Sequence, residues 1–420
     1  MMIWPRRHLL ASVAIQGLGA AATFAVGLGI AAWQGPQAQG RYGLVRSAAD
    51  LLLALALFGL PQSMLHALNQ RGASAARLEG MSWRYAAALL AAALFTALLL
   101  ALSGASGGWL ADLGNPWLLA ALWLGSVGWV LQGLLRVFAL GRGSATQFAW
   151  ASVTPSLSLL AAVGVLLAWG SQRYELALAA SGIASVWLAA RQLRPLRLQP
   201  DWRQGGAAPL ASLLRDGTHA FAQAVTLALQ PWLTLLLLRW QGATVGELGH
   251  FVFAAYVFHA FALPTSFVAP LLFARISAAA GAGREFGAAA IVRRVLGWTS
   301  VAALIVAALL PWAVTGLFAA DYAPAIPACV LLALGGPWLV ANRLGVAVLF
   351  GLGRFRFASA HALLRALLLP LCLWAIWRSG AWSRVTAAGL AWLMVEALCA
   401  LALLVAWKRL PLAPADKGVA

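Results

Sequence analysis

Apolar residues run through this chain in stretches of about 20, each long enough to cross the hydrocarbon core of a bilayer as a helix. Twelve such helices are predicted, at 9–32, 43–69, 82–103, 117–139, 147–169, 175–193, 216–240, 248–273, 295–318, 325–350, 357–377 and 385–407. Only short joints separate them, so no soluble domain fits between. The seventh, DGTHAFAQAVTLALQPWLTLLLLR, departs from uniform apolarity. His219, Gln223, Thr226, Gln230 and Thr234 recur at steps of four, three, four and four, which places them on one helix face. The first helix repeats the device: Ser12, Gln16 and Thr23 lie 207 positions before His219, Gln223 and Gln230. Lipid has no use for such stripes. Two matched polar faces point to two matched halves with a wet cavity between them.

The repeat extends beyond the stripes. Trp33-Gln34-Gly35 returns as Trp240-Gln241-Gly242, Ala111-Asp112 with Pro116 as Ala320-Asp321 with Pro324, and Leu140-Gly141-Arg142 as Leu352-Gly353-Arg354. Successive matches in order at a nearly constant offset indicate duplication of a six-helix unit. Six is even, so both copies start from the same side and form parallel repeats. The expected organisation is a six-helix lobe at 1–193, a cytoplasmic linker at 194–215, a second lobe at 216–408 and a tail at 409–420. Part of the linker is expected to lie on the anionic inner leaflet as a short helix. Pro155, Pro231, Pro264, Pro270, Pro337 and Pro370 fall inside spans. There they either bend and pack helices or serve as hinges.

Composition agrees with this pattern. The hydrophobic fraction is 63% and charged residues only 10%, with mean hydropathy +0.85. The net charge of +18 raises the question of nucleic acid, which the placement of the charge answers. With the N-terminus inside, six basic residues lie outside (Arg41, Arg46, Arg173, Arg239, Arg378 and Arg384) and two within spans (Arg343 and Arg365). The other 21 of 29 lie at inner loops and inner helix ends, which is the positive-inside pattern and not a nucleic-acid face. Both termini are therefore expected in the cytoplasm. Basic residues ahead of an apolar run also resemble a signal peptide, but the match of this segment to 216–240 marks it as a retained helix. Cys329, Cys372 and Cys399 have neither metal spacing nor a disulfide framework. Of the 21 tryptophans, Trp109, Trp117, Trp312 and Trp382 sit at predicted outer boundaries as interface anchors.

The chemistry available is narrow. Lysine occurs only at Lys408 and Lys417, so a Gly-Lys-Ser/Thr phosphate loop is absent, and no HExxH motif is present. No enzyme activity, metal or cofactor is expected. Asp112 and Asp321 are expected to cap helices with the prolines that follow. What remains is polar and charged groups at membrane depth, each costing roughly 2.5–3.5 kcal/mol at a helix centre unless partnered or hydrated. Arg46 and Asp50 lie four apart, either as a self-neutralising pair or as one that an anion or proton opens. Glu396, near the middle of the last span, is either a proton site or a partner for Arg365 or Arg343. His361 and Arg365 share a face, and Asn342 precedes Arg343. Both arginines lie roughly 10 Å inside the inner boundary, at about 1.5 Å per residue. His259 is either a packed hydrogen-bonding residue or a proton carrier.

Several features together carry a family likeness. These are the striped first helix, Gly35-Pro36, Gly40-x-Tyr42-Gly43, Phe58-Gly59-Leu60, Gly242-x-x-x-Gly246-x-x-Gly249, Pro264, Leu317-Phe318 with Asp321-Tyr322, and Gly351-Leu352-Gly353-Arg354. The chain resembles, over essentially its whole length, the polysaccharide flippases (Wzx type) of the multidrug/oligosaccharidyl-lipid/polysaccharide exporter superfamily. The resemblance implies an all-α, V-shaped, two-lobed transporter of twelve helices in the bacterial inner membrane. It would flip an undecaprenyl-diphosphate-linked oligosaccharide to the outer leaflet for surface polysaccharide or O-antigen assembly, alongside a polymerase and glycosyltransferases. Cavity arginines in that family take the diphosphate; by depth, Arg46, Arg343 and Arg365 are the positions here. The stripe residues Gln16, Thr23, His219, Gln223 and Gln230, with His259, would line the same path. Asp50 or Glu396 would carry a coupling proton or sodium ion, if one is used. The two extra helices usual in lipid II flippases are absent, as is the first-helix acid often found in drug exporters. A cation-coupled drug or metabolite exporter of the same fold is the alternative, and a membrane scaffold for polysaccharide assembly a third.

Overall fold

The computed structural model of the full chain describes residues 6–70, 75–102, 116–142, 145–193, 207–281, 288–318 and 320–409. Among these residues there is no strand. The helices are α1 Arg6–Leu57, α2 Leu60–Gln70, α3 Ala75–Leu102, α4 Pro116–Arg142, α5 Ala145–Ala168, α6 Tyr174–Leu193, α7 Ala207–Trp240, α8 Val245–Gly281, α9 Ala288–Leu317, α10 Ile326–Gly351, α11 Phe355–Arg378 and α12 Arg384–Arg409, with a 3-10 turn at Ala320–Ala325 before α10. Nine helices among the described residues are long and apolar enough to cross a membrane. The chain is thus an all-α, multi-pass membrane protein, and the predicted spans fall on these helices.

Two predicted joints are helical instead. The segment between the first two spans continues as helix on both sides of a single break at Gly35 (φ 77). Pro36 then opens the next stretch with its fixed φ and no amide to satisfy, so a left-handed glycine followed by proline stops one helix and starts another. Gln, Ala and Arg in between are good helix formers. The linker prediction likewise ends early, because α7 begins at Ala207. Pro209 sits in its first turn, where a missing N–H costs nothing. The rest of the linker, Asp112 and the tail beyond Arg409 lie outside the described residues. Asp321 does not cap α10: the N-cap is Ala325, without a side-chain hydrogen bond.

The chain falls into two compact units, Met1–Gly29 with Leu44–Ala228, and Ile30–Gly43 with Leu229–Ala420. These boundaries differ from the predicted lobes, since residues 30–43 join the second unit and the start of α7 joins the first. Lipid tails are as apolar as leucine, so helices associate in a bilayer through close packing and interhelical hydrogen bonds. The glycines of the sequence motifs serve that packing. In the second unit a Cβ on Gly249 would lie 1.8 Å from the Pro36 carbonyl oxygen, and one on Gly40 would lie 2.0 Å from that of Val245. The backbones of the 30–43 segment and α8 touch at this crossing, and no other residue fits there.

Within the first unit, α4 is the central helix and packs on α3, α5 and α6. The Phe58–Gly59 break between α1 and α2 is held from α7: the Phe58 ring stacks on Phe221 at 4.0 Å. That contact stabilises a phenylalanine in the left-handed region (φ 44). Pro155 removes the amide that would bond to the Ala151 carbonyl one turn earlier in α5. Gln132 of α4 donates its side-chain Nε2 to that carbonyl instead. In the second unit α10 is central, packed by α8, α9 and α12. Trp392 is buried there between Phe251 and Phe258, with ring centroids 5.3 and 5.2 Å away.

Candidate functional site

Three helices of the second unit bring charged and polar groups together at membrane depth. Glu396 of α12 is fully buried, and both of its carboxylate oxygens are engaged. Oε1 accepts from the Arg365 guanidinium of α11, and Oε2 accepts from Asn342 Nδ2 of α10 at 2.6 Å. The same Nδ2 lies 2.9 Å from the Glu396 backbone carbonyl. With its amide nitrogen so used, Asn342 presents Oδ1 to His361, whose Nε2 lies 3.1 Å away and donates. Glu396 thus pairs with Arg365 and not with Arg343. Asn342, His361, Arg365 and Glu396 form one network that staples α10, α11 and α12.

Arg343 follows Asn342 on α10, turned by about 100°. Its Nε is buried without a hydrogen-bond partner, and no described residue pairs with its guanidinium. The cluster therefore holds two guanidinium charges and one carboxylate. Among the described residues no group of His, Cys, Asp and Glu is placed to hold a metal ion.

In the first unit Arg46 grips Asp50 with two bonds, Nε to Oδ2 at 2.9 Å and a terminal nitrogen to Oδ1 at 2.9 Å. The guanidinium also lies 4.7 Å from the Trp129 ring centroid, a cation–π geometry. Trp129 is fixed in turn by Nε1 donating to Ser181 Oγ at 3.3 Å. Ser181 bonds to the Pro155 carbonyl at 3.1 Å and to Ser158 at 2.9 Å. The pair is part-exposed, at 30% and 38%, so water weakens it relative to the Arg365–Glu396 clasp.

The stripe residues divide. Thr226 and Thr234 return their hydroxyls to the carbonyls of Ala222 and Gln230, and Thr234 also accepts from Trp392 Nε1 at 2.9 Å. Gln223 Oε1 and Gln230 Nε2 are buried without partners. His219 is half-buried. On α1, Gln16 Nε2 lies 3.5 Å from Ser12 Oγ. Thr23 Oγ1 lies 3.1 Å from the Gly19 carbonyl and 3.0 Å from Ser156 Oγ. His259 is exposed and turns Nδ1 to the Ala255 carbonyl of its own helix at 2.7 Å; it is not part of the α10–α12 cluster. Two groups escape sequence reasoning. Gln39 is fully buried with neither amide atom bonded, whereas the sequence placed it in an outer loop. Asn342 was visible only as a neighbour of Arg343, yet it is the hub of the network.

No family model matches the chain, and no curated protein matches it either. Solved structures do. The lipid II flippase MurJ in an inward closed conformation superimposes with TM-score 0.75 at 11% identity, covering 97% of this chain and 88% of that one. A MATE transporter in complex with MaD3S gives 0.70 at 15% identity, covering 96% and 93%. The Vibrio cholerae MATE transporter VcmN in its bent form gives 0.61 at 14%, over 96% of both chains. This chain has the fold that MATE transporters and MurJ share.

Proposed function

We propose that this chain flips a diphosphate-linked oligosaccharide lipid from the inner to the outer leaflet of a bacterial inner membrane, supplying surface polysaccharide or O-antigen assembly. The observation that carries the reading is the excess positive charge carried by α10, α11 and α12, two guanidiniums against one carboxylate. A buried guanidinium selects phosphate or carboxylate groups through its planar set of donors. Asp50 and Glu396, the acids expected at membrane depth, are both held by arginines. A cationic drug would therefore find no unpaired carboxylate at either place. The likeness to MurJ, a lipid II flippase, favours a lipid-linked cargo. Two negative charges moving outward across an inside-negative membrane gain roughly 4–5 kcal/mol per 100 mV, from about 2.3 kcal/mol per charge, so no nucleotide site is needed.

The test is deletion of the gene in its own bacterium, with lipid-linked oligosaccharide and surface polymer measured together. Lipid-linked oligosaccharide retained on the inner leaflet, with loss of the polymer, is the expected result. Intact polymer with heightened drug sensitivity overturns the proposal and moves the cargo to the class that a drug exporter carries.

A further inference from the structure

Both oxygens of Glu396 are occupied, and one of them occupies Arg365. The pair is dry, with Arg365 4% exposed and Glu396 not exposed at all. Glu396 Oε1 takes one terminal nitrogen of the Arg365 guanidinium, and the Nε of Arg365 remains buried and unpartnered. Arg343 differs. It is only half-buried, its Nε has no partner, and no described acceptor takes its remaining donors. Arg343 follows directly on Asn342, whose amide holds Glu396 at 2.6 Å.

We infer that Glu396 is an internal competitor for the anion that this site binds. Its carboxylate stands in for the ligand on Arg365 while the site is empty, so a diphosphate engages Arg343 first and gains Arg365 only by displacing Glu396. This deepens the flippase reading and rests on it for the identity of the anion, but not for the competition between charges. Glu396 gives Arg365 a single carboxylate oxygen, where a phosphate can accept two parallel N–H donors from a guanidinium. Glu396 reaches Arg365 from a neighbouring helix with no loss of translational freedom, so it sets the affinity and keeps it below what two free arginines would give. Weak binding suits a carrier that must release its load. Asn342 and His361 are positioning residues. Asn342 holds the second oxygen of Glu396 and His361 holds Asn342, so together they fix where the competitor rests.

The test measures binding of inorganic pyrophosphate to the purified full-length protein, beside a short-chain isoprenyl diphosphate. Glu396→Gln keeps an oxygen for Asn342 but gives up the charge on Arg365, and should tighten pyrophosphate binding about tenfold, equivalent to about 1.4 kcal/mol. Arg343→Gln, which leaves the clasp untouched, should weaken it at least tenfold. The double variant should bind close to wild type, because one free arginine replaces the other. A purely structural role for Glu396 predicts no tightening and no recovery. Equal or weaker binding by Glu396→Gln overturns the inference, as does unchanged binding by Arg343→Gln or no binding by any form. If Glu396→Gln fails to fold, Glu396→Asp, whose carboxylate is one methylene shorter, takes its place; it should also tighten binding, and no tightening overturns the inference. Tighter binding of the isoprenyl diphosphate than of pyrophosphate assigns the anion to a lipid headgroup. Equal binding of the two, with the variant pattern intact, supports the competition and counts against the flippase reading.

Discussion

Replacing Arg365 by methionine while keeping Glu396 exposes the energetics of the clasp. The Glu396 carboxylate is fully enclosed, and without Arg365 its side-chain oxygens would keep one donor, the Asn342 amide. Removing one partner of a buried ion pair costs about 3–5 kcal/mol, most of it for stranding the other charge. Adding Glu396→Met removes the stranded charge. Apolar replacement of a whole buried pair is often neutral or better, so the double variant should return to within about 1 kcal/mol of wild type. Asn342 would still have the backbone carbonyl of residue 396, 2.9 Å away. For a cooperative unit of about 200 residues, 1 kcal/mol shifts the melting midpoint by about 2–4 °C. The single variant should therefore melt roughly 6–20 °C lower and the double should recover most of that. Thermal unfolding of detergent-purified protein, followed by tryptophan fluorescence, reads both. Losses that simply add, with the double lower than either single variant, would refute the reasoning.

Gly249→Val should prevent stable folding, because the new Cβ would sit 1.8 Å from the Pro36 carbonyl. Gly164→Ala, where nothing lies within 4 Å, should be neutral or raise stability by about 0.5–1 kcal/mol; the pair is compared by yield of monodisperse protein and melting midpoint. Gln132→Leu should cost about 1–3 kcal/mol, the penalty of an unsatisfied buried carbonyl at Ala151. Pro155→Ala should rescue it by restoring the amide that α5 lacks, and thermal melts of the two single variants and the double check this.

The fold was legible because bilayer-crossing helices are written in continuous apolar length, which needs no knowledge of what each helix touches. Hence 357–377 and 385–407 landed within two residues of α11 and α12. The stretch 33–42 was misread for a local reason: its polar residues look like a loop, whereas Gly35 and Pro36 break the helix once and the remainder continues. The glycines of Gly40-x-Tyr42-Gly43 and Gly242-x-x-x-Gly246-x-x-Gly249 were visible as motifs, but their meaning lies in a crossing between segments about 200 residues apart. The site follows the same rule. That His361 and Arg365 share a face follows from helical spacing alone. That Asn342 bridges His361 to Glu396 depends on three helices converging from positions 19 and 54 residues apart, which periodicity cannot report.

The crossing of residues 30–43 with α8 also constrains the order of events during biosynthesis. Gly40 leaves the ribosome about 200 residues before Gly249, the residue that its helix must meet. At about 5–20 residues per second, that segment waits roughly 10–40 s with its glycine face in lipid or against the insertion machinery. The second unit is built from two pieces, residues 30–43 and 229–420, with most of the first unit translated between them. A chain truncated after α6 would therefore carry an orphaned segment, and a separately expressed C-terminal half would present an unfilled glycine groove on α8. Neither half is a natural unit of membrane insertion quality control; the nascent chain becomes a finished molecule only when α8 has arrived.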